Sequence, residues 1–484
     1  MRNRCYRLHM LSSTTHQSSL FYVAFGRQAS LIKDDLLDPI DALLDDDDLI
    51  RLVADAQGRS APHAHTRGRP RIAPDRLLRC CALKHIKGWS FRELERELRG
   101  SLVYRRFTRY DHDPIPDFST LSRNFAVLGS VTRQIHARVV AMARKERVAS
   151  GRKLRIDTTV VETNIHYPTD STLLQDGIRV LTRATRRVAE ECLGAPRVVD
   201  HARSVKHRVL EIHRAAKTFA ETGRQKLAAG YTKLLSLARR VLRKAEKVSR
   251  DLKSGDLPVV GSALRVVGAD GALRHFAPLV RKVIAQTEAR IFGGDHHVKG
   301  KVVSLFEEHT EVIRKGKTHK PTEFGRLVRI DEVENGIVSG YDAESGNPPD
   351  TRAFVPALDE HVKHFGRPPR TATADRGFFS AENERVAKAR GVEKVALPGR
   401  GRLSPTRGGR QKQRWFQRAL RWRAGIESRI ATLKHRFEMA RARYTGAAGF
   451  VRYVGWCVIS QNLVSMARAQ RRQARHAQEA RHAA

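Results

Sequence analysis

No two of the five cysteines in this chain form a CxxC pair; Cys5, Cys80, Cys81, Cys192 and Cys457 are scattered. That excludes a disulfide framework and a cysteine zinc site, and it fits a reducing compartment. No apolar run approaches the ~18 residues of a transmembrane helix. The stretch SSLFYVAFG is too short for one and lacks the small-residue cleavage site of a signal peptide. A cytoplasmic, nucleoid-associated protein with no membrane partner is expected. No Walker loop, GxSxG or HExxH occurs. Acidic residues are also in deficit: 51 Asp and Glu face 91 Lys and Arg, a formal charge of +40 over 484 residues. So large an excess attracts polyanions, and nucleic acid is the partner that fits it best.

The chain is long enough for two or three domains. Residues 1–30 read as a disordered leader. Residues 31–150 read as a helical DNA-binding domain that opens on the acidic segment LIKDDLLDPIDALLDDDDLIRLV. Within it Gly88 breaks one helix, Ser90 and Glu93 form a capping box for the next, and Asp117 or Ser119 caps a third. Short helices with tight turns suit a helix-turn-helix-like module or a plain bundle. KLRIDTTVVETN alternates as a strand. Residues 170–294 read as a helical insertion, for DNA or subunit contact or as a solvated hairpin. Strand signals return at FGRLVRIDEVENGIVSGYDAE, where Asn335-Gly336 predicts a two-residue type I′ turn. That register sets Val333 opposite Val338, Ile330 opposite Tyr341 and Arg329 opposite Asp342. Strand, hairpin, helix, strand, helix, strand is a mixed α/β order, with the core at 151–169 and 295–445. A glycine- and arginine-rich loop, 399–412, leads into a long helix, and 446–484 is an apolar helix ending in a basic, disordered tail.

Three acids stand in settings that ask for a reason. Asp157 lies mid-strand, where Asp is depleted. Asp375 ends the short strand RTATAD, released by Arg376-Gly377, at the strand edge where open α/β sheets place ligands. Glu427 lies in Arg423-x3-Glu427-x6-Lys434. At about 100° per residue these three side chains fall within roughly 40° of one another on a helix. Each also has a plain structural reading: an i,i+4 surface pair, a turn residue, a strand acid. Brought together, three carboxylates would repel strongly, and a pair of Mg2+ ions would remove that cost and drive displacement at phosphorus. Arg423 and Lys434 would then hold backbone phosphates. Arg376 is a further DNA contact. Arg67-Gly-Arg-Pro70, through Arg67 and Arg69, suits an AT-rich minor groove or a plain linker.

These residues resemble the DDE transposases of bacterial insertion sequences. RWRAGIESRIATLK matches their R-x3-E-x6-K signature, TATADRGFFS resembles the segment of the second Asp, and IDTTVVETNIHYPTDS that of the first. GWSFRELERELRGSLVYRRFTRY and IPDFSTLSR resemble the helical domain that precedes the core. The resemblance implies a ribonuclease-H-like mixed sheet core with a helical N-terminal domain and a large helical insertion. It implies Asp157, Asp375 and Glu427 as catalytic and metal ligands, two Mg2+ ions with Mn2+ as a substitute, and cleavage and strand transfer at element ends. Double-stranded DNA, as ends and target, and a homo-oligomer on DNA follow as partners. Two departures stand out: Leu420 replaces the tyrosine often found three residues before the arginine, and the insertion falls between the two aspartates. A nuclease of the same fold without strand transfer, and a non-catalytic DNA-binding derivative, are the rival readings.

Overall fold

The computed structural model describes residues 33–60, 71–218, 221–295, 297–314, 321–343, 346–399 and 401–483. The expected leader and the Arg67 and Arg69 segment lie outside the described residues. The chain divides into two compact units, one formed by 1–164 with 313–484 and one by 165–312.

In the first unit the local signals act as the sequence predicts. Pro74 opens the helix Pro74–Lys87, and Gly88, at φ 70°, ends it in the left-handed region. Ser90 and Glu93 exchange both capping-box bonds at the start of Phe91–Gly100. Asp117 caps Phe118–Val127 by accepting from the Ser119 and Thr120 amides. The acids of the opening segment serve as counter-ions. Arg79, fully buried, donates to Asp41 at 2.7 Å and to Asp45 at 2.5 Å, and Arg138 pairs with Asp46 at 2.6 Å. Buried guanidinium groups need such partners.

The sheet is mixed. Strand β1 (Lys153–Glu162) pairs antiparallel with β3 (Glu323–Glu332) and parallel with β5 (Thr371–Ala374), which carries β6 (Lys394–Ala396). Short β2 (Glu311–Ile313) and β4 (Val338–Ala343) both flank β3. The β3–β4 hairpin turns at Asn335 (φ 56°) and Gly336 (φ 77°), both left-handed, as a type I′ turn requires. Ile330 faces Tyr341 and Arg329 faces Asp342, as expected. Nearer the turn the expectation fails: a bulge sets Glu332, not Val333, opposite Val338. The edge strand β4 is covered rather than left open. Asn462, on the final helix Gly446–Ala483, accepts from the Val338 amide and donates to its carbonyl, both at 2.8 Å.

Two further corrections concern the C-terminal part. The loop expected at 399–412 contains a helix, Pro405–Lys412, started by Pro405 after the cap Ser404. The tail expected to be disordered is helical to Ala483. Trp456, Val458 and Leu463 bury its first half, while 471–480 stand exposed on every side.

The second unit is four helices, Asp170–Glu191, Ala202–Ala215, Glu221–Ser254 and Ala263–Ile291. Leu174, Leu181, Leu234, Ala238 and Val283 fill its core. Gly177 lets two helices close up, since a Cβ there would meet Val280 at 2.7 Å.

Candidate active site

The last rung of the β1–β5 ladder pairs Ile156 with Ala374. The next residue on each strand is Asp157 and Asp375. Parallel neighbours about 4.8 Å apart at the same level share one face, so the two aspartates sit side by side at the carboxyl edge of the sheet. Both carboxylates are half-buried and tied to backbone amides: Asp157 Oδ1 accepts from Thr158 at 2.7 Å, Asp375 Oδ1 from Gly377 at 2.7 Å.

Close to Asp375 lies a further carboxylate, Asp350, that sequence spacing does not single out. Asp350 begins the turn leading into helix Phe354–Phe365 and accepts the Thr158 hydroxyl at 2.7 Å. A Cβ on Gly377 would lie 2.7 Å from Asp350 Oδ2 and 2.9 Å from Asp375 Oδ1. Glycine is thus required there, and the two oxygens flank the same point. The turns that carry Asp350 and Asp375 are locked by Asn383, whose buried amide donates to the Thr351 and Phe378 carbonyls, each at 2.8 Å. In sequence Asp350 looks like any acid at a helix start.

Glu427 lies on helix Arg414–Arg436, whose inner stripe is Phe416, Ala419, Ile426 and Leu433. Its carboxylate is 70% exposed and faces Arg423 at 3.5 Å, with Arg423 itself only 20% exposed. Lys434 is half-buried on the same helix, and Arg376 is exposed beside Asp375. Among the described residues no three His, Cys, Asp or Glu side chains gather closely enough to hold a metal ion. The structure therefore brings Asp157 and Asp375 together and leaves Glu427 outside their immediate cluster. On its own helix Arg423 supplies Glu427 with a counter-charge at i,i+4.

The glutamate helix is nonetheless fixed to the sheet. Fully buried Glu332, at the end of β3, accepts from Arg155 at 2.9 and 2.7 Å and from Arg429 at 3.2 Å. Arg155 also donates to the Trp422 carbonyl and lies over the Trp422 ring at 4.8 Å. Gly425 makes room for it, since a Cβ there would strike the Arg155 guanidinium. Strand β1, the hairpin and the Glu427 helix are thereby held by one carboxylate.

All the candidate ligands are oxygen donors, the set that hard divalent cations take. Mg2+ binds through one or two carboxylates together with waters and substrate phosphates, so the aspartate pair fits that ion.

A mixed sheet with an antiparallel hairpin beside β1 and parallel β5 and β6 beyond it, with paired acids on β1 and β5, defines a ribonuclease-H-like enzyme of phosphoryl transfer. The chain matches two family models: "Transposase domain (DUF772)" over residues 26–126 and "Transposase DDE domain" over 324–463. It belongs to the DDE transposases of insertion elements, enzymes whose general activity is metal-dependent cleavage and transfer of DNA strands. No curated protein and no solved structure matches it. Among the described residues no helix is long and apolar enough to cross a membrane.

Proposed function

We propose that Asp157, Asp375 and Glu427 hold the divalent cations, two Mg2+ ions with Mn2+ as a working substitute, and that DNA closes the set. The observation that supports this is the β1–β5 register, whose last rung, Ile156 with Ala374, is followed on each strand by Asp157 and Asp375. The bound cations supply charge stabilisation at the attacked phosphate and at the leaving oxygen. The chain's own residues do the rest. Asp157 and Asp375 are pre-oriented by the Thr158 and Gly377 amides. Glu427, paired with Arg423, would be freed to complete the set of carboxylates if an incoming backbone phosphate took the Arg423 guanidinium. Lys434 and Arg376 hold flanking phosphates as donors, and Arg67 and Arg69 reach a minor groove. In cleavage a water oxygen bonds to phosphorus as the P–O3′ bond breaks, leaving a 3′-hydroxyl. In transfer that hydroxyl attacks target DNA, and a target 3′-oxygen departs. Residues 31–150 recognise the element ends, 170–294 make DNA or subunit contacts, and a homo-oligomer bridges the two ends.

The test is an oligonucleotide assay with end-containing duplexes and Mg2+. Asp157→Asn and Asp375→Asn should each lower cleavage by at least ~10³-fold while duplex binding without metal stays at the wild-type level. Cutting at the wild-type rate by either variant overturns the assignment. Calorimetric Mn2+ titration gives a second readout, with weakened binding expected in both.

A further inference from the structure

Helix Arg414–Arg436 and the final helix pack together in the first unit, and arginines crowd where they meet. Arg436 comes from the first helix, and Arg468 and Arg472 from the second, one turn apart and on one face. All three are exposed. Neighbouring arginines have partners: Arg429 has Glu332, Arg471 has Asp35 at 2.7 Å, and Arg475 has Glu479 at 2.9 Å. Among the described residues no carboxylate lies within salt-bridge reach of Arg436, Arg468 or Arg472; Arg436 rests only over the Phe437 ring at 5.8 Å. Partial burial, then the charges of Arg436, Arg429 and Arg472, push the Arg468 guanidinium below its ordinary range. Like charges are thus held together with no anion to relieve them. Beyond them, residues 471–480 form a helix exposed on all sides, which packing does not stabilise.

We propose that Arg436, Arg468 and Arg472 form a backbone-phosphate clamp for duplex DNA, continued along the exposed end of the final helix. It rests on the reading of duplex DNA as substrate and adds a surface apart from the acidic site. Arg436 lies nine residues beyond Glu427 on the same helix, about 13 Å at 1.5 Å per residue. At about 100° per residue nine residues turn the helix by half a revolution, so the clamp lies on the face opposite Glu427 and contacts DNA apart from the candidate active site. Arginine forks suit phosphate oxygens, and the clamp has no donors or acceptors placed to read bases.

The experiment uses the full chain and two duplexes, one bearing an element end and one of unrelated sequence, titrated without divalent metal over a range of salt. The variant carries Arg436→Gln, Arg468→Gln and Arg472→Gln. The slope of log affinity against log salt should become shallower by about 2 to 3, near 0.9 for each phosphate no longer neutralised. Affinity at 0.1 M salt should fall by roughly 10²-fold, equally for both duplexes. The corresponding triple lysine variant should restore most of the slope, since a point charge suffices for phosphate. An unchanged slope, or a loss confined to one duplex, overturns the clamp. Asp375→Asn separates the readings: it should cut nothing yet bind with the wild-type slope, so the clamp and the active site fail independently.

Discussion

Replacing Lys84 with methionine should make the first unit more stable at pH 7. Lys84 is 2% exposed, with its ammonium over the Phe91 ring at 4.9 Å and the Tyr444 ring at 5.0 Å. Burial lowers its pKa from 10.5 to about 8, a shift that nearby Cys81 and Cys457 only partly oppose. At 1.36 kcal/mol per unit, that shift corresponds to about 3 kcal/mol of cost for holding the charge inside. The two ring contacts return about 1–2 kcal/mol, so Lys84→Met should gain about 1–2 kcal/mol. The pH dependence has a definite sign. Below pH 8 the lysine is charged in both states and the full cost applies. Between pH 8 and 10.5 the native state has released the proton that the unfolded chain still holds, so wild-type stability rises with pH. The advantage of the variant should therefore shrink from pH 7 to pH 10. All four tryptophans, Trp89, Trp415, Trp422 and Trp456, lie in the first unit, so urea midpoints followed by tryptophan fluorescence report on it alone. A lower midpoint at pH 7, or an advantage that does not change with pH, would refute the reasoning.

Glu332→Ala should destabilise the same unit by about 3–5 kcal/mol, because it leaves Arg155 and Arg429 buried without their shared carboxylate; a fluorescence-detected urea midpoint within 0.5 kcal/mol of wild type would count against the latch. Glu360→Gln should gain stability relative to wild type as pH rises from 5 to 8, because the wild type loses it there. Burial and then Asp331 raise the Glu360 carboxyl to about 7, so the native state holds a proton that the unfolded chain has already lost. About 1–2 kcal/mol at pH 8 is expected, and equal midpoints at pH 5 and 8 would speak against it. Gly336→Ala should cost about 1–3 kcal/mol, since φ is 77° there and a Cβ would strike Arg429; thermal melts of the two proteins measure it.

What the sequence reveals and what it hides divide along the range of the interactions. The turn at Asn335-Gly336, the caps at Ser90 and Asp117 and the strand around Asp157 depend on neighbours a few residues away. The same holds for the far part of the hairpin register. In the near part β4 carries an extra residue, Ser339, and Val338 is bound by Asn462, 124 positions off, so apolar pairing of Val333 with Val338 is the natural but mistaken expectation. Asp350 is hidden for the same reason: Thr158, which singles it out, is 192 positions away. The pattern of the three acids does place two of them on adjoining strands and the third on a helix. The i,i+4 pairing of Glu427 with Arg423 is legible there too, as a surface pair on one helix. The apolar first half of the final helix is legible in the sequence, and only its polar, basic tail misleads, because that composition reads as disordered while the helix runs on to Ala483.

The chain leaves the sheet after β1, forms the second unit and returns through β2, and on either side of this excursion Glu162 of β1 and Gly325 of β3 face each other as an antiparallel pair. At that rung the two strands that flank the excursion are about 5 Å apart. A tight reverse turn would bridge them. The helical segment is thus a cassette: it can be excised, lengthened or exchanged through evolution or engineering without the strands on either side having to relearn their pairing.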